Sequence, residues 1–512
     1  MKKILVICLS FVTTMAMAQN NDNVAKYAAL TTPKALKEKL TILASADMEG
    51  RETASPGQKK AAAWIEEQFK KFGLLPGNGD SYQQVYPVYF DAMNDQLLRV
   101  NGKTFAWDKE YNFTLGSLFK GYKTFNNFVF AGYGVVDSAS KTNDYAGLDV
   151  KGKVVIVVDG GTPAPAAPTG GRRGFQNPNA GKIAAAQKNG AIGLLIISSA
   201  FPRTTPTPVK STRMALAINE PPLFIATISD EVASALIGRT SKVAFADFKN
   251  VNKGSYVAEL QLGAERNPEM RESSNVIGIL PGTDKKDEYV FLTGHYDHLG
   301  KNATGIFYGA DDDGSGSVGV IQNAENFATA ARKGDKPRRT MIFMTVSGEE
   351  KGLLGSEYYS EHPTIDLSKA SVDLNTDMIG RGDSSRHGLD TLNYIYVIGH
   401  DKLSSDLPGI IEGANKRSVN IALDYKFDDP NDVNNIYFRS DHYNFAKKGI
   451  PILFFYDGML GADYHKQTDT VDKIQFDMMA KRAQLVFYAA WDIANRDNML
   501  KRDIPLPATA RR

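Results

Sequence analysis

The stretch EYVFLTGHYDHLG, residues 288–300, places an apolar, β-favouring run directly ahead of two histidines and an aspartate. A short apolar run that ends at glycine reads as a buried strand. His295, Asp297 and His298 then follow the carboxyl end of that strand, the edge on which open α/β sheets form their sites. The same grammar recurs downstream. TMIFMTVSG (residues 340–348) is followed by Glu349 and Glu350, ASVDLNTDMIG (370–380) carries Asp377, and IPILFFYDG (450–458) leads to His465. Residues 315–334 read as a helix closed by Gly334, and residues 471–496 as a final helix. Strand, helix, strand alternation of this kind predicts an α/β fold, a sheet of mixed, mostly parallel strands flanked by helices.

Upstream, residues 32–45 and 56–74 space their apolar residues by three and four, the pattern of amphipathic helices, and Gly73 suits a helix stop. From about residue 106 to 262 the texture changes to short β-rich runs punctuated by glycine, such as KGKVVIVVDG and GAIGLLIIS. This block holds none of the seven histidines of the chain and reads as a separate β-rich module, with a proline- and glycine-rich loop at residues 162–181.

The 512 residues exceed what one hydrophobic core ordinarily organises. A formal net charge of +2 gives no reason to expect nucleic acid or an anionic membrane as partner. At the start, Lys2 and Lys3 precede an apolar stretch ending at Ala16-Met17-Ala18, the pattern of a secretory signal peptide over residues 1–18. The run is shorter than the roughly 20 residues of a membrane anchor. Export to a periplasmic or extracellular location is expected. The one cysteine, Cys8, lies inside that signal, so neither disulfides nor thiolate ligands are expected after cleavage.

Asp311, Asp312 and Asp313 lie just before the helix of residues 315–334. Any one acidic cluster is ordinarily a helix cap or a solvated turn. Several strands ending in carboxylates or imidazoles, with no basic residue beside them, would repel one another in one crevice unless a cation sat among them. Mixed nitrogen and oxygen donors suit zinc, with cobalt or manganese as substitutes.

In order along the chain, GHYDHLG, GADDDGSGS, SGEEKGLLGS, NTDMIGR and YHKQTDT resemble the motif series of the M28 family of dinuclear zinc aminopeptidases. SDHYNFAKKGIPILFF and the N-terminal residues 44–74 are also typical of that family, and the β-rich module resembles an inserted protease-associated (PA) domain. The resemblance implies a signal at 1–18, peptidase segments at 19–105 and 263–512, and the PA-like module at 106–262. It implies two zinc ions per chain, both bridged by Asp312, one completed by His295 and Asp377 and the other by Glu350 and His465. Glu349 is then the general base, and Asp297 orients His295. Tyr464 is a candidate oxyanion donor, Asp441 a supporting residue, Asp469 a second support that holds the loop of His465, and His298 a bystander near the rim. The Asp312–Asp313 peptide bond is expected to be cis.

The implied activity is removal of N-terminal residues from peptides. A carboxypeptidase or dipeptidase of the same superfamily would need a cationic pocket, for which Arg381, Arg386 and Arg439 are candidates. A single-zinc glutaminyl cyclase ordinarily has aspartate where this chain has Glu350, and a non-catalytic binding ectodomain ordinarily has lost ligands that are all present here. Sequence leaves the oligomeric state open.

Overall fold

A computed structural model of the chain describes residues 24–138, 140–161, 179–205, 212–429, 432–461 and 463–507. The expected signal segment and nearly all of the loop 162–181 lie outside the described residues. Two compact units are present, one formed by the stretches up to residue 87 and from 272 to 509, the other chiefly by residues 88–271.

The first unit is built on seven strands: β1 (Glu269–Leu280), β2 (Lys285–His295), β3 (Arg339–Val346), β4 (Ala370–Thr376), β5 (Tyr394–Ile398), β6 (Ala422–Asp424) and β7 (Ile452–Tyr456). Their order across the sheet is β1-β3-β2-β4-β7-β5-β6. β3, β2, β4 and β7 are mutually parallel, while β1 and β5 run against their neighbours β3 and β7. The apolar runs are continuous because both faces are covered. Along β2, Val290 and Leu292 enter one core with Phe327, Phe343 and Phe487, whereas Phe291 enters the other with Ile342, Tyr359 and Phe445. This is the two-residue alternation of a strand.

Helices α1 (Pro33–Leu43), α2 (Pro56–Phe72), α3 (Gly316–Arg332) and α7 (Phe476–Asn495) supply the first core, and α4 (Leu354–Glu361) and α6 (His442–Ala446) the second. Thr32 and Ser55 cap α1 and α2 through their hydroxyls, and Gly73 ends α2 at φ 81°. Strand β5 and helix α5 (Leu407–Arg417) had no clear sequence signal.

Register aligns the functional ends. His295 pairs with Val346, Thr293 with Asn375, and Thr376 with Phe455. Residue 295, the turn after 346, residue 377 and the loop after 456 therefore leave one edge of the sheet together.

In the second unit, strands Gly121–Phe130, Val154–Val158, Gly193–Ile197 and Phe224–Ile228 run parallel in that order. Gly254–Arg266 pairs antiparallel with the first of them. Val155, Val157, Leu194 and Ile196 fill one core, and Val154, Ile156, Leu195 and Ile197 another.

Phe327 joins three elements, its ring lying 4.6 Å from Phe487, 5.6 Å from Trp491 and 5.9 Å from Phe343. Phe327→Ala should destabilise this unit by about 3–5 kcal/mol, read as a lower urea midpoint; a loss under ~1 kcal/mol would show that the cluster does not anchor α3.

Candidate metal centre

Each candidate residue is delivered by a strand end or a helix start. His295 ends β2, Asp377 follows β4, Glu349 and Glu350 sit between β3 and α4, Asp312 precedes α3, and His465 follows β7. Asp313, to which the sequence reading gave no role, ties three of these segments together. Its buried carboxylate accepts from the amides of His295 (3.1 Å), Gly316 (2.9 Å) and Met378 (3.0 Å). Gly316 must be glycine here, since a Cβ would lie 2.3 Å from both Asp313 Oδ1 and the Thr376 carbonyl. The Asp312–Asp313 bond is cis, as the family likeness implies.

Three expectations need correction, those on basic neighbours, on Asp469 and on His298. The acids were expected to have no basic neighbour, but fully buried Arg51 donates to the carbonyls of Tyr296 (2.6 Å), Leu43 (2.9 Å), Tyr308 (2.8 Å) and Gly309 (2.8 Å). Burial lowers its pKa to about 10, against the pull of Asp297, Asp469, Asp313 and Asp312, so it keeps its charge. Asp469, expected to brace the loop of His465, instead accepts from the amides of Asp311 (3.0 Å) and Asp312 (3.1 Å). The signal for Arg51 was the N-terminal segment EGRE, which is legible only once its partners some 245 residues on are known.

The cluster has two halves that share Asp312. In the first, His295 Nε2 lies 3.4 Å from Asp312 Oδ1 and 3.5 Å from Asp377 Oδ1. In the second, His465 Nε2 lies 3.1 Å from Asp312 Oδ2 and 3.2 Å from Glu350 Oε2. Glu349 Oε2 is 3.8 Å from His295 Nε2 and belongs to neither set of donors close enough to hold an ion together. The Nδ1 of His295 lies 3.1 Å from the carbonyl oxygen of Asp297 and 3.7 Å from its carboxylate, so the main chain makes the closer orienting contact. The Asp297 carboxylate instead receives Thr53 Oγ1 (2.7 Å) and the Glu349 amide (3.2 Å), linking β2 to the base candidate.

His298 is not at the rim. It is fully buried, with Nδ1 2.8 Å from Glu350 Oε1 and 4.0 Å from Asp312 Oδ2. Asp441 is buried and accepts from Ser356 Oγ at 2.5 Å; burial lifts its pKa to about 7. It braces α4 and is not among the converging donors. Tyr464 stacks on His465 with ring centroids 3.9 Å apart, and burial, then Asp312 and Glu350, raises its pKa, so its hydroxyl stays a donor. His465 itself holds a left-handed backbone (φ 56°), a conformation unfavourable for a side-chain-bearing residue and found where a site over-determines the chain.

The donors fit a divalent metal. His295 Nε2, Asp312 Oδ2 and Glu350 Oε1 are buried yet make no hydrogen bond among the described residues, although other donors lie about them. Burial works against the charge of Glu350, as does Asp312, but His298 and His465 hold its pKa at about 2. Burial raises Glu349 well above the ordinary carboxylate range, Glu350 and Asp377 adding to this against the pull of His295. A pocket containing Asp312, Glu349 and Asp377 is otherwise lined by apolar and aromatic side chains, including Ile436, Phe454 and Leu460, with Arg439 and Tyr464. Among the described residues no helix is long and apolar enough to cross a membrane.

The first unit is thus a mixed, mostly parallel α/β sheet with imidazole and carboxylate donors converging at one edge. Residues 275–490 match the model of Peptidase family M28 and residues 127–230 that of the PA domain. The PA match thus lies ahead of the M28 match along the chain. It is similar to a probable leucine aminopeptidase of Trichophyton verrucosum (strain HKI 0517), 30% identical over 225 residues, which are 43% of this chain and 57% of that protein. A probable glutamate carboxypeptidase of Arabidopsis thaliana is 26% identical over 228 residues, 44% of this chain and 30% of that protein. The chain therefore spans little more than half the length of the first of these relatives. An aminopeptidase structure from Aneurinibacillus sp. strain AM-1 superposes with a TM-score of 0.58 at 21% identity, covering 95% of this chain and 100% of that one, a likeness of fold.

Ion binding should stabilise the repelling acids. Zn2+ at about 100 times its Kd adds ~2.7 kcal/mol, so the Tm should rise by several degrees and fall again with chelator; a Tm indifferent to both would refute a metal centre.

Proposed function

We propose that the chain is an exported zinc-dependent exopeptidase that removes N-terminal residues from peptides. The observation that carries this reading is that Asp312 alone reaches both imidazole-carboxylate sets, while Glu349 shares the pocket and joins neither. The first set (His295, Asp312, Asp377) and the second (Asp312, Glu350, His465) would each hold one Zn2+, with Co2+ or Mn2+ as substitutes. When bound, the zinc supplies Lewis acidity, polarising a scissile carbonyl and lowering the pKa of water toward roughly 7.

The chain's own residues do the rest. Glu349 takes the proton of the attacking water and gives it to the leaving amine, a shuttle suited to a carboxyl whose pKa burial has raised. Tyr464, kept protonated, donates to the developing oxyanion. Asp297 holds the Glu349 amide and the His295 ring in one frame. Ile436, Phe454 and Leu460 beside the acids suit an apolar substrate side chain.

A second reading, dipeptidase or carboxypeptidase, is favoured by one residue. Arg381 is paired with Asp463 and Arg386 with Asp424, whereas Arg439 lines the pocket, lies 3.5 Å from Tyr464 Oη and meets no carboxylate within ion-pair distance among the described residues. It could receive the carboxylate of a short substrate.

Aminoacyl-nitroanilides, N-blocked peptides and dipeptides, each with and without chelator, test both readings. Chelator-sensitive cleavage of free-amine substrates alone is expected. Cleavage of blocked peptides would overturn the aminopeptidase reading and leave the hydrolase. Glu349→Gln should lower kcat by about 10²–10⁴-fold with the metal content unchanged; full activity would remove it from catalysis.

A further inference from the structure

We propose that His298 is a direct ligand of the ion held by Asp312, Glu350 and His465, so that this position has two nitrogen donors and the other only one. The inference rests on the metal centre proposed above and concerns a residue that neither the motif series nor the pocket singles out.

His298 is wholly buried, and both of its ring nitrogens lack a hydrogen-bond partner among the described residues. A buried imidazole without any partner is costly unless something else binds it. Nδ1 lies 2.8 Å from Glu350 Oε1, but the two atoms are not aligned as donor and acceptor, and Glu350 Oε1 is itself without a hydrogen bond. Two atoms this close that do not point at each other are arranged to point at a third. Donors held at about 2.0–2.1 Å around a tetrahedral zinc lie ~3.3 Å apart. The separations of 2.8 Å from His298 Nδ1 to Glu350 Oε1 and, from His465 Nε2, of 3.1 Å to Asp312 Oδ2 and 3.2 Å to Glu350 Oε2 are near that spacing, while His298 Nδ1 stands further from Asp312 Oδ2, at 4.0 Å. The rings of His298 and His465 face this space edge to face, with centroids 6.0 Å apart and planes at 72°.

The ring has little freedom to turn away. Gly309, at φ 55°, runs so close that a Cβ there would lie 2.5 Å from His298 Cγ. The amide of His298 donates to the Arg51 carbonyl at 3.2 Å. Backbone on both sides thus presents the imidazole to Glu350. Two imidazoles and two carboxylates make a site richer in nitrogen than His295 with Asp312 and Asp377, so late transition metals should enter it first.

The test uses Co2+ and the full chain, whose sole cysteine is Cys8. His298→Cys places a thiolate in the proposed position. Cobalt loading of that variant should produce an intense near-ultraviolet thiolate-to-cobalt charge-transfer band absent from the parent, from the parent with Cys8→Ser and from chelated protein. Should cobalt bind to the variant without that band, residue 298 is not a ligand and the inference falls. His298→Ala gives an independent reading. Its Co2+ affinity should drop at least tenfold, and its visible spectrum at saturation should differ from the parent's; unchanged affinity with a superimposable spectrum would overturn the inference. If the parent itself binds no Co2+, the metal centre fails as well, which separates that failure from the failure of this ligand alone.

Discussion

One buried carboxylate sets the geometry on which the rest depends. Asp313 gathers the amides that follow β2 and β4 and that open α3. Three strand-end and helix-start segments are thereby fixed within one hydrogen bond of a common point. A buried carboxylate needs just such donors, since its charge is otherwise expensive to desolvate. Its neighbours Asp311 and Asp312 are then turned in opposite senses: Asp311 toward Gly380 and Ser315, Asp312 toward the imidazoles. The run of three acids is therefore three different parts, a brace, a donor shared by both halves and a clamp.

Much of this was legible in the sequence, for a physical reason. Strands buried on both faces must be continuously apolar, so the residues where polarity resumes mark the strand ends, and those were His295, Glu349, Asp377 and the approach to His465. Glycine and hydroxyl caps marked α1 and α2 for similarly local reasons. What stayed hidden were the contacts between remote segments. Arg51 reads as an ordinary charged residue until four carbonyls are seen around it. Asp469 was read as holding the loop of His465, because a carboxylate four residues from His465 looks local, but its carboxylate meets the amides of Asp311 and Asp312. His298 was read as a bystander near the rim, but it is buried beside Glu350. After His295 the strand ends and the chain turns, so the alternation no longer holds.

The site also separates tasks by the kind of group it uses. Of the residues that would touch an ion, His295 is fixed by strand register, while Asp312, Glu350, Asp377 and His465 stand on segments that adjoin the strand ends. Glu349, which has to move a proton, stands on a turn held through its amide by Asp297. The pocket walls, by contrast, come from β7, the 3₁₀ turn Ile436–Phe438 and the loop approaching His465. Side-chain preference can therefore vary without disturbing the donors.

Arg51 has a consequence for how the molecule is made. Its carbonyl partners at Tyr296, Tyr308 and Gly309 lie 245, 257 and 258 residues further along the chain. At about 5–20 residues per second the ribosome needs tens of seconds to produce them. In that interval the segment of residues 88–271, a compact unit with its own cores, is synthesised whole. The nascent guanidinium meanwhile waits in water, so the order of translation leaves the acid-rich edge to be closed last, when both halves of its frame finally exist.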